Sequence, residues 1–243
     1  MTITAPPPSP DRLLVEPDPK LAEAFGIPPV AFRIAASARD EIRGEDGRMQ
    51  LDVLVDEWAK VLDTDLDLRL VEGPFLALWA NVVAIQRGQD GDAVGAEHYV
   101  RLGLQFAPTN LSLQARLGLA LMQQGSLAQA LVQFKRVMDD PRAGFSPALW
   151  LAAGRTAMEL GLHAEAVRIL EEYAAYLPGD DAFWDLLGEA RDRAGLKPRQ
   201  PPRASSPAAG PPGAGRADGW REVGPSPSDA WETVDDGWKE VKE

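Results

Sequence analysis

Apolar residues between positions 111 and 195 recur at spacings of three and four, in stretches separated by glycine. The stretches LQARLGLALM (113–122) and LAQALVQFKRVM (127–138) both show this spacing. It places the apolar side chains along one face of an α-helix. The pattern therefore predicts amphipathic helices that pair across glycine turns.

The glycine turns belong to an internal repeat with a period of 34 to 36 residues. The turn glycines are Gly91, Gly125, Gly161 and Gly195. A second glycine precedes a turn glycine by seven positions at Gly118, Gly154 and Gly188. Alanines follow five positions after the turn and prolines close the units, at Ala96, Ala130, Ala166, Pro108, Pro141 and Pro178. Glycine ends the first helix, small residues let two helices approach closely, and proline ends the second helix.

These residues resemble the tetratricopeptide repeat family. The matching positions are Leu117, Gly118, Gly125, Ala130, Phe134 and Pro141, then Trp150, Gly154, Gly161, Ala166 and Pro178. Trp184, Leu187, Gly188 and Gly195 resemble the capping helix of such arrays. The resemblance implies an all-α solenoid of about three helical hairpins plus a capping helix over 73–196. The Ala, Arg and Gly-rich composition indicates a bacterial source.

The flanking segments differ from the repeats in composition. Residues 20–72 are predicted to form a helical N-terminal cap, because LDVLVDEWAKVL (51–62) has an amphipathic pattern. Residues 1–19 are predicted to be disordered. Residues 197–217 form a Pro, Gly and Ala-rich linker, and residues 218–243 are predicted to be a disordered acidic tail.

The resemblance also implies a binding groove lined by the first helix of each hairpin. The residues carried over to it are Leu78, Asn81, Ile85, Ala115, Leu119, Met122, Leu151, Arg155 and Met158. A mostly apolar lining with two methionines suits an amphipathic helix or an extended apolar segment. The alternative is that these residues only pack against neighbouring helices.

The tail repeats one tryptophan hexapeptide three times, as DGWREV, DAWETV and DGWKEV. The shared frame consists of Asp218, Trp220 and Val223, then Asp229, Trp231 and Val234, then Asp236, Trp238 and Val241. Each aspartate is suited to cap a helical turn that places tryptophan and valine on one face. Exposed tryptophans in such a segment indicate docking sites, since a docked tryptophan buries a large area.

Charge and composition narrow the function classes. The net charge is −12 and cysteine is absent. An acidic chain is repelled by phosphate backbones, so we expect no nucleic-acid partner. The N-terminal segment lacks a signal-peptide pattern, and apolar runs are too short for a membrane span, so we expect a cytoplasmic protein without membrane insertion.

No catalytic or metal-binding pattern is evident in the sequence. The acidic run DTDLDL (63–68) lacks the glycine and the glutamate of a calcium loop, since Leu68 and Pro74 occupy those positions. His98 and His163 lie too far apart in sequence for a local metal motif. We therefore expect a non-enzymatic protein with no cofactor.

Three functions remain open. The first is an adaptor or scaffold whose groove binds one protein and whose tail binds a second, oligomeric or repeated partner. The second is a secretion- or assembly-type chaperone that holds an apolar client in the groove. The third is self-assembly, in which the tail of one copy occupies the groove of another.

Overall fold

The computed structural model describes residues 11–28, 30–38, 42, 50–143, 146–174 and 181–197. The elements are β1 (Arg12–Val15), α1 (Pro19–Ala24), β2 (Phe32–Ala35), α2 (Leu51–Thr64), α3 (Leu66–Gln89), α4 (Ala93–Phe106), α5 (Leu111–Gln123), α6 (Leu127–Met138), α7 (Pro147–Glu159), α8 (His163–Tyr173) and α9 (Asp181–Arg193). The chain divides into two compact units, 1–113 and 114–243, and the division falls within α5. The mostly helical, repeating architecture confirms the predicted fold class.

The first unit joins a small β-hairpin to helices α2, α3 and α4. Strands β1 and β2 pair antiparallel, with Arg12 opposite Ala35 and Val15 opposite Phe32. Phe32 is fully buried, with its ring centroid 4.9 Å from that of Trp58 on α2 and 5.4 Å from that of Trp79 on α3. Burial of these large aromatic side chains supplies much of the apolar area that attaches the hairpin to the helices.

Strand β2 also places a charged group inside this aromatic cluster. Arg33 Nε donates to Glu72 Oε1 at 2.5 Å, and both residues are buried. Trp58 Nε1 donates to the other carboxylate oxygen, Glu72 Oε2, at 2.9 Å. A buried ion pair is tolerated only when additional hydrogen bonds satisfy its polar atoms, and the indole N–H supplies one here.

The β-hairpin differs from the sequence prediction, which assigned 1–19 to disorder and 20–72 to helix. Strand β1 lies in the first range and β2 in the second. The period of two at Val30, Phe32 and Ile34 is a strand signal, and Phe32 and Ile34 are buried. A short apolar run is ambiguous between helix and strand. Here the strand forms because Phe32 packs against the two tryptophans of α2 and α3.

Helix α3 begins at Leu66, seven residues before the predicted repeat array at 73. Asp65 caps it, because its Oδ1 accepts from Leu68 N at 3.1 Å, and its Oδ2 accepts from Arg12 at 2.9 Å. Within the described residues, α3 is long and apolar enough to cross a membrane by length and composition. More than half of its most apolar window is buried inside the protein.

The second unit contains the hairpin pairs that the repeat predicts. Gly125 and Gly161 turn the chain with φ of 76° and 72°, a left-handed conformation that glycine adopts at little cost. The inner glycines permit close helix contact. A Cβ at Gly118 would lie 2.5 Å from Phe134 Cε1, and one at Gly154 would lie 2.6 Å from Leu170 Cδ2. Both close approaches support the small-residue role predicted for these positions.

Candidate partner-binding surface

Helix α5 presents one of the predicted groove faces in the second unit. Ala115, Leu119 and Met122 follow the i, i+4, i+7 spacing of a single helix face, and all three are partly buried. Leu117 and Leu121 of the same helix are buried in the core. Helix α5 therefore divides its apolar residues between the core and a partly accessible stripe.

The equivalent face of α7 is only partly accessible. Leu151 is partly buried and Arg155 is exposed, whereas Met158 is 6% exposed. Met158 therefore contributes to the core in this conformation and offers little surface to a partner. The partly accessible apolar side chains of the predicted face in this unit are Ala115, Leu119, Met122 and Leu151.

Helix α9 adds an acidic stripe that sequence reasoning did not include. Asp185, Glu189 and Asp192 are exposed and share one helix face by their spacing of four and three. Helix α9, which carries this stripe, packs against α7. The signal was present in the sequence, because Asp185 and Glu189 hold the same positions relative to Gly188 that Leu151 and Arg155 hold relative to Gly154.

The remaining groove positions belong to the first unit. Leu78, Asn81 and Ile85 lie on α3 and are all partly buried. The predicted residues thus fall into two sets, one on α3 and one on α5 and α7.

Charged contacts link α6 and α8, the second helices of the two hairpins whose first helices are α5 and α7. Glu165 on α8 accepts from Arg168 at 2.9 Å and from Lys135 on α6 at 2.8 Å. Hydrogen bonds from Arg168 and Lys135 lower the pKa of Glu165 to about 2. On α5, burial lowers the pKa of Arg116 to about 10, which leaves its guanidinium charged near neutral pH.

The first unit also contains a shallow, open hollow of about 190 Å³ beside Leu51, Val83 and Gln86. Arg87 crosses it and pairs with Asp52 on α2. These contacts tie α2 to α3, and they give the hollow a structural role. Among the described residues, no group of three or more His, Asp or Glu side chains is placed to hold a metal ion.

The two histidines, His98 and His163, lie in different units. His98 is exposed, with its ring edge-on to Tyr99 and its Nε2 3.8 Å from Asp56 Oδ1. Tyr99 donates to the other oxygen of Asp56 at 3.0 Å, and burial raises the pKa of Tyr99 well above its usual value. His163 lies in the second unit at the start of α8.

The nine predicted tail residues fall outside the described part of the chain. They are Asp218, Trp220, Val223, Asp229, Trp231, Val234, Asp236, Trp238 and Val241.

Helical hairpins, turn glycines and close glycine contacts define a helical repeat protein. A model of the tetratricopeptide repeat family matches residues 121–190, which include α6, α7, α8 and most of α9. Residues 121–190 therefore contain tetratricopeptide repeats, and such repeats generally mediate binding between proteins. No curated protein matches the chain.

Proposed function

We propose that the protein is a non-enzymatic, cytoplasmic adaptor that holds one protein partner on its repeats and a second on its tail. The observation that carries the proposal is the partly accessible apolar face formed by Leu119 and Met122 on α5 and by Leu151 on α7. Single exposed apolar residues are ordinary, but Leu119 and Met122 are aligned by helix spacing on one face of α5, which suits the docking of an apolar partner.

The charges beside this face define the chemistry of its partner. Asp185, Glu189 and Asp192 are exposed on α9, next to α7. An amphipathic helix with an apolar face and basic residues at one end complements both features. The apolar contacts supply affinity, and the acidic stripe fixes the direction in which the helix lies.

The tail supports the second half of the proposal through its sequence. Residues 218–243 carry three copies of the Asp-x-Trp-x-x-Val frame, and linker 197–217 separates them from the repeats. Several weak sites on one chain raise the apparent affinity for an oligomeric partner by increasing the effective concentration. Removing one tryptophan should therefore weaken binding in steps, and removing two should cost more than twice as much.

The repeat surface is tested with the full chain and two charge-inserting variants. Leu119→Asp with Leu151→Asp places a charge where the apolar face of the partner must dock, which desolvates it without a counter-charge. Val132→Asp is the matched control, because Val132 is 62% exposed on α6 and lies outside the proposed face. Peptide helices with basic or acidic ends are titrated against each variant by calorimetry.

We expect the basic-ended helix to bind the wild-type chain and the Val132→Asp control. It should not bind the double variant, although the helix content of that variant is unchanged. Equal binding by the double variant would contradict the proposed surface.

The tail is tested separately by the triple replacement of Trp220, Trp231 and Trp238 by Ala. An adaptor loses its second partner and keeps the peptide helix on the repeats. Deleting 197–243 distinguishes the other functions. A chaperone would keep its client, and a self-assembling scaffold would become monomeric by light scattering.

A further inference from the structure

Gly188 on α9 breaks a rule that the other repeat glycines of the second unit follow. In each preceding hairpin, the inner glycine of the first helix faces a bulky side chain 16 positions later, as Gly118 faces Phe134 and Gly154 faces Leu170. A Cβ at Gly188 would meet no atom of the described residues within 4 Å. The helix therefore has the small residue that close packing needs, without the side chain that packs there.

The surroundings of Gly188 suit an aromatic side chain. Trp184 lies one turn before it and Arg191 one turn after it, on the same side of α9 by helix spacing. Arg191 is held in place by Glu171 on α8 and by the carbonyl of Lys197, to which its Nε donates at 2.6 Å. An indole inserted at Gly188 would contact an aromatic ring on one side and a fixed guanidinium on the other.

The sequence after α9 limits which residue of the chain can fill this space. Sixteen positions after Gly188 stands Ala204, and residues 197–219 contain no aromatic or large aliphatic side chain. The first candidate is Trp220. Residues 198–219 span up to about 75 Å when extended, whereas Gly188 lies only about 8 Å along α9 from Arg193, the last residue of the helix.

From these observations we infer that the first tail motif, 218–223, docks on α9 of its own chain with Trp220 against Gly188. Linker length favours this motif, because the effective concentration of a tail residue at α9 falls as about the −3/2 power of the number of residues between them. It is about twofold higher for Trp220 than for Trp238. Charge disfavours the second motif, since Glu232 directly follows Trp231 whereas Arg221 follows Trp220. The exposed Asp185 and Asp192 border Gly188 on the acidic side of α9.

The docked motif leaves the second and third motifs available to an external partner. This contact involves neither Leu119 nor Leu151, but it shares Asp185 and Asp192 with the acidic stripe proposed to orient the partner helix.

The contact is tested by fluorine NMR on the full chain labelled with 5-fluorotryptophan. Single Trp→Phe replacements assign the signals. We expect the Trp220 signal to be displaced from those of Trp231 and Trp238. Gly188→Phe fills the space with its own ring and should bring Trp220 back to the position of the other two. Glu189→Phe is the control, because it places the same ring one residue away and should leave the displacement unchanged.

A second measurement leaves α9 unaltered. The signal of Trp184 should shift in Trp220→Ala and remain unchanged in Trp231→Ala. Coincident signals for the three tail tryptophans, or an unmoved Trp184 signal, would overturn the inference. A displacement of Trp220 that disappears on dilution would also overturn it, because the docking would then occur between two copies. The loss of binding of the basic-ended helix that is expected for Leu119→Asp with Leu151→Asp depends on apolar side chains of α5 and α7. That loss does not require the docked motif, which separates this test from that of the proposed function.

Discussion

The pair of buried tryptophans around Phe32 allows one hydrogen bond to be isolated by a matched comparison. Trp58 and Trp79 are both fully buried and both contact the ring of Phe32. Trp58 Nε1 donates to Glu72 at 2.9 Å, whereas Trp79 Nε1 is buried without a hydrogen-bond partner among the described residues. Replacement of each tryptophan by Phe removes a similar volume. Only the replacement of Trp58 also removes a hydrogen bond that the described residues show.

The expected magnitudes follow from that difference. Trp58→Phe removes a bond to a buried charged group, which is worth about 1.5–3 kcal/mol, in addition to the cost of the smaller ring. Trp79→Phe removes an N–H group whose burial without a partner costs about 1–3 kcal/mol. Removal of this cost stabilises the folded protein and offsets the lost packing. We therefore expect Trp58→Phe to be less stable than Trp79→Phe by about 2 kcal/mol or more.

The assay is equilibrium unfolding in urea, followed by circular dichroism at the helix signal. Stability changes are read from the midpoint at constant slope, since a changed slope would indicate a different denatured state. Equal losses for the two variants, or a larger loss for Trp79→Phe, would refute the role assigned to the Trp58–Glu72 bond.

Three further outcomes are expected. Gly118→Leu should lower stability by about 1–3 kcal/mol through overpacking against Phe134, whereas Gly188→Ala should be neutral or stabilising by up to about 1 kcal/mol. Equal melting temperatures for the two variants would contradict this difference in packing. Glu72→Gln should cost about 3–5 kcal/mol in urea unfolding, because it leaves the buried arginine of β2 without its counter-charge. Glu165 has a folded-state pKa below its unfolded value, so its contribution is present above about pH 4.5 and is lost as pH falls towards 2, its pKa in the folded protein. The contribution of Glu165 to the free energy of unfolding is of the order of 1 kcal/mol, because the group is partly exposed. In Glu165→Gln, the loss of this contribution at low pH should be absent from unfolding curves measured as a function of pH.

The helical hairpins of this protein were predictable because their signals are local. Apolar spacing of three and four defines a helix face within a dozen residues, and a glycine at Gly125 or Gly161 supplies the positive φ that the turn requires. The predicted closeness at Gly118 is likewise found, because a glycine at that phase of the repeat faces the second helix of its hairpin.

Other features depended on contacts between distant residues. The strand at Phe32 forms because tryptophans of α2 and α3 enclose it, and no local pattern distinguishes it firmly from a helix. Met158 shares the helix position of Met122 but is buried, since accessibility depends on how neighbouring helices cover each position. The sequence alone determined the repeated hairpins and the three tail motifs, through local periodicity. Only the tertiary structure decided which side chains of the predicted face are accessible. It also showed that no side chain of the described residues packs against Gly188, because both features depend on which elements lie against each helix.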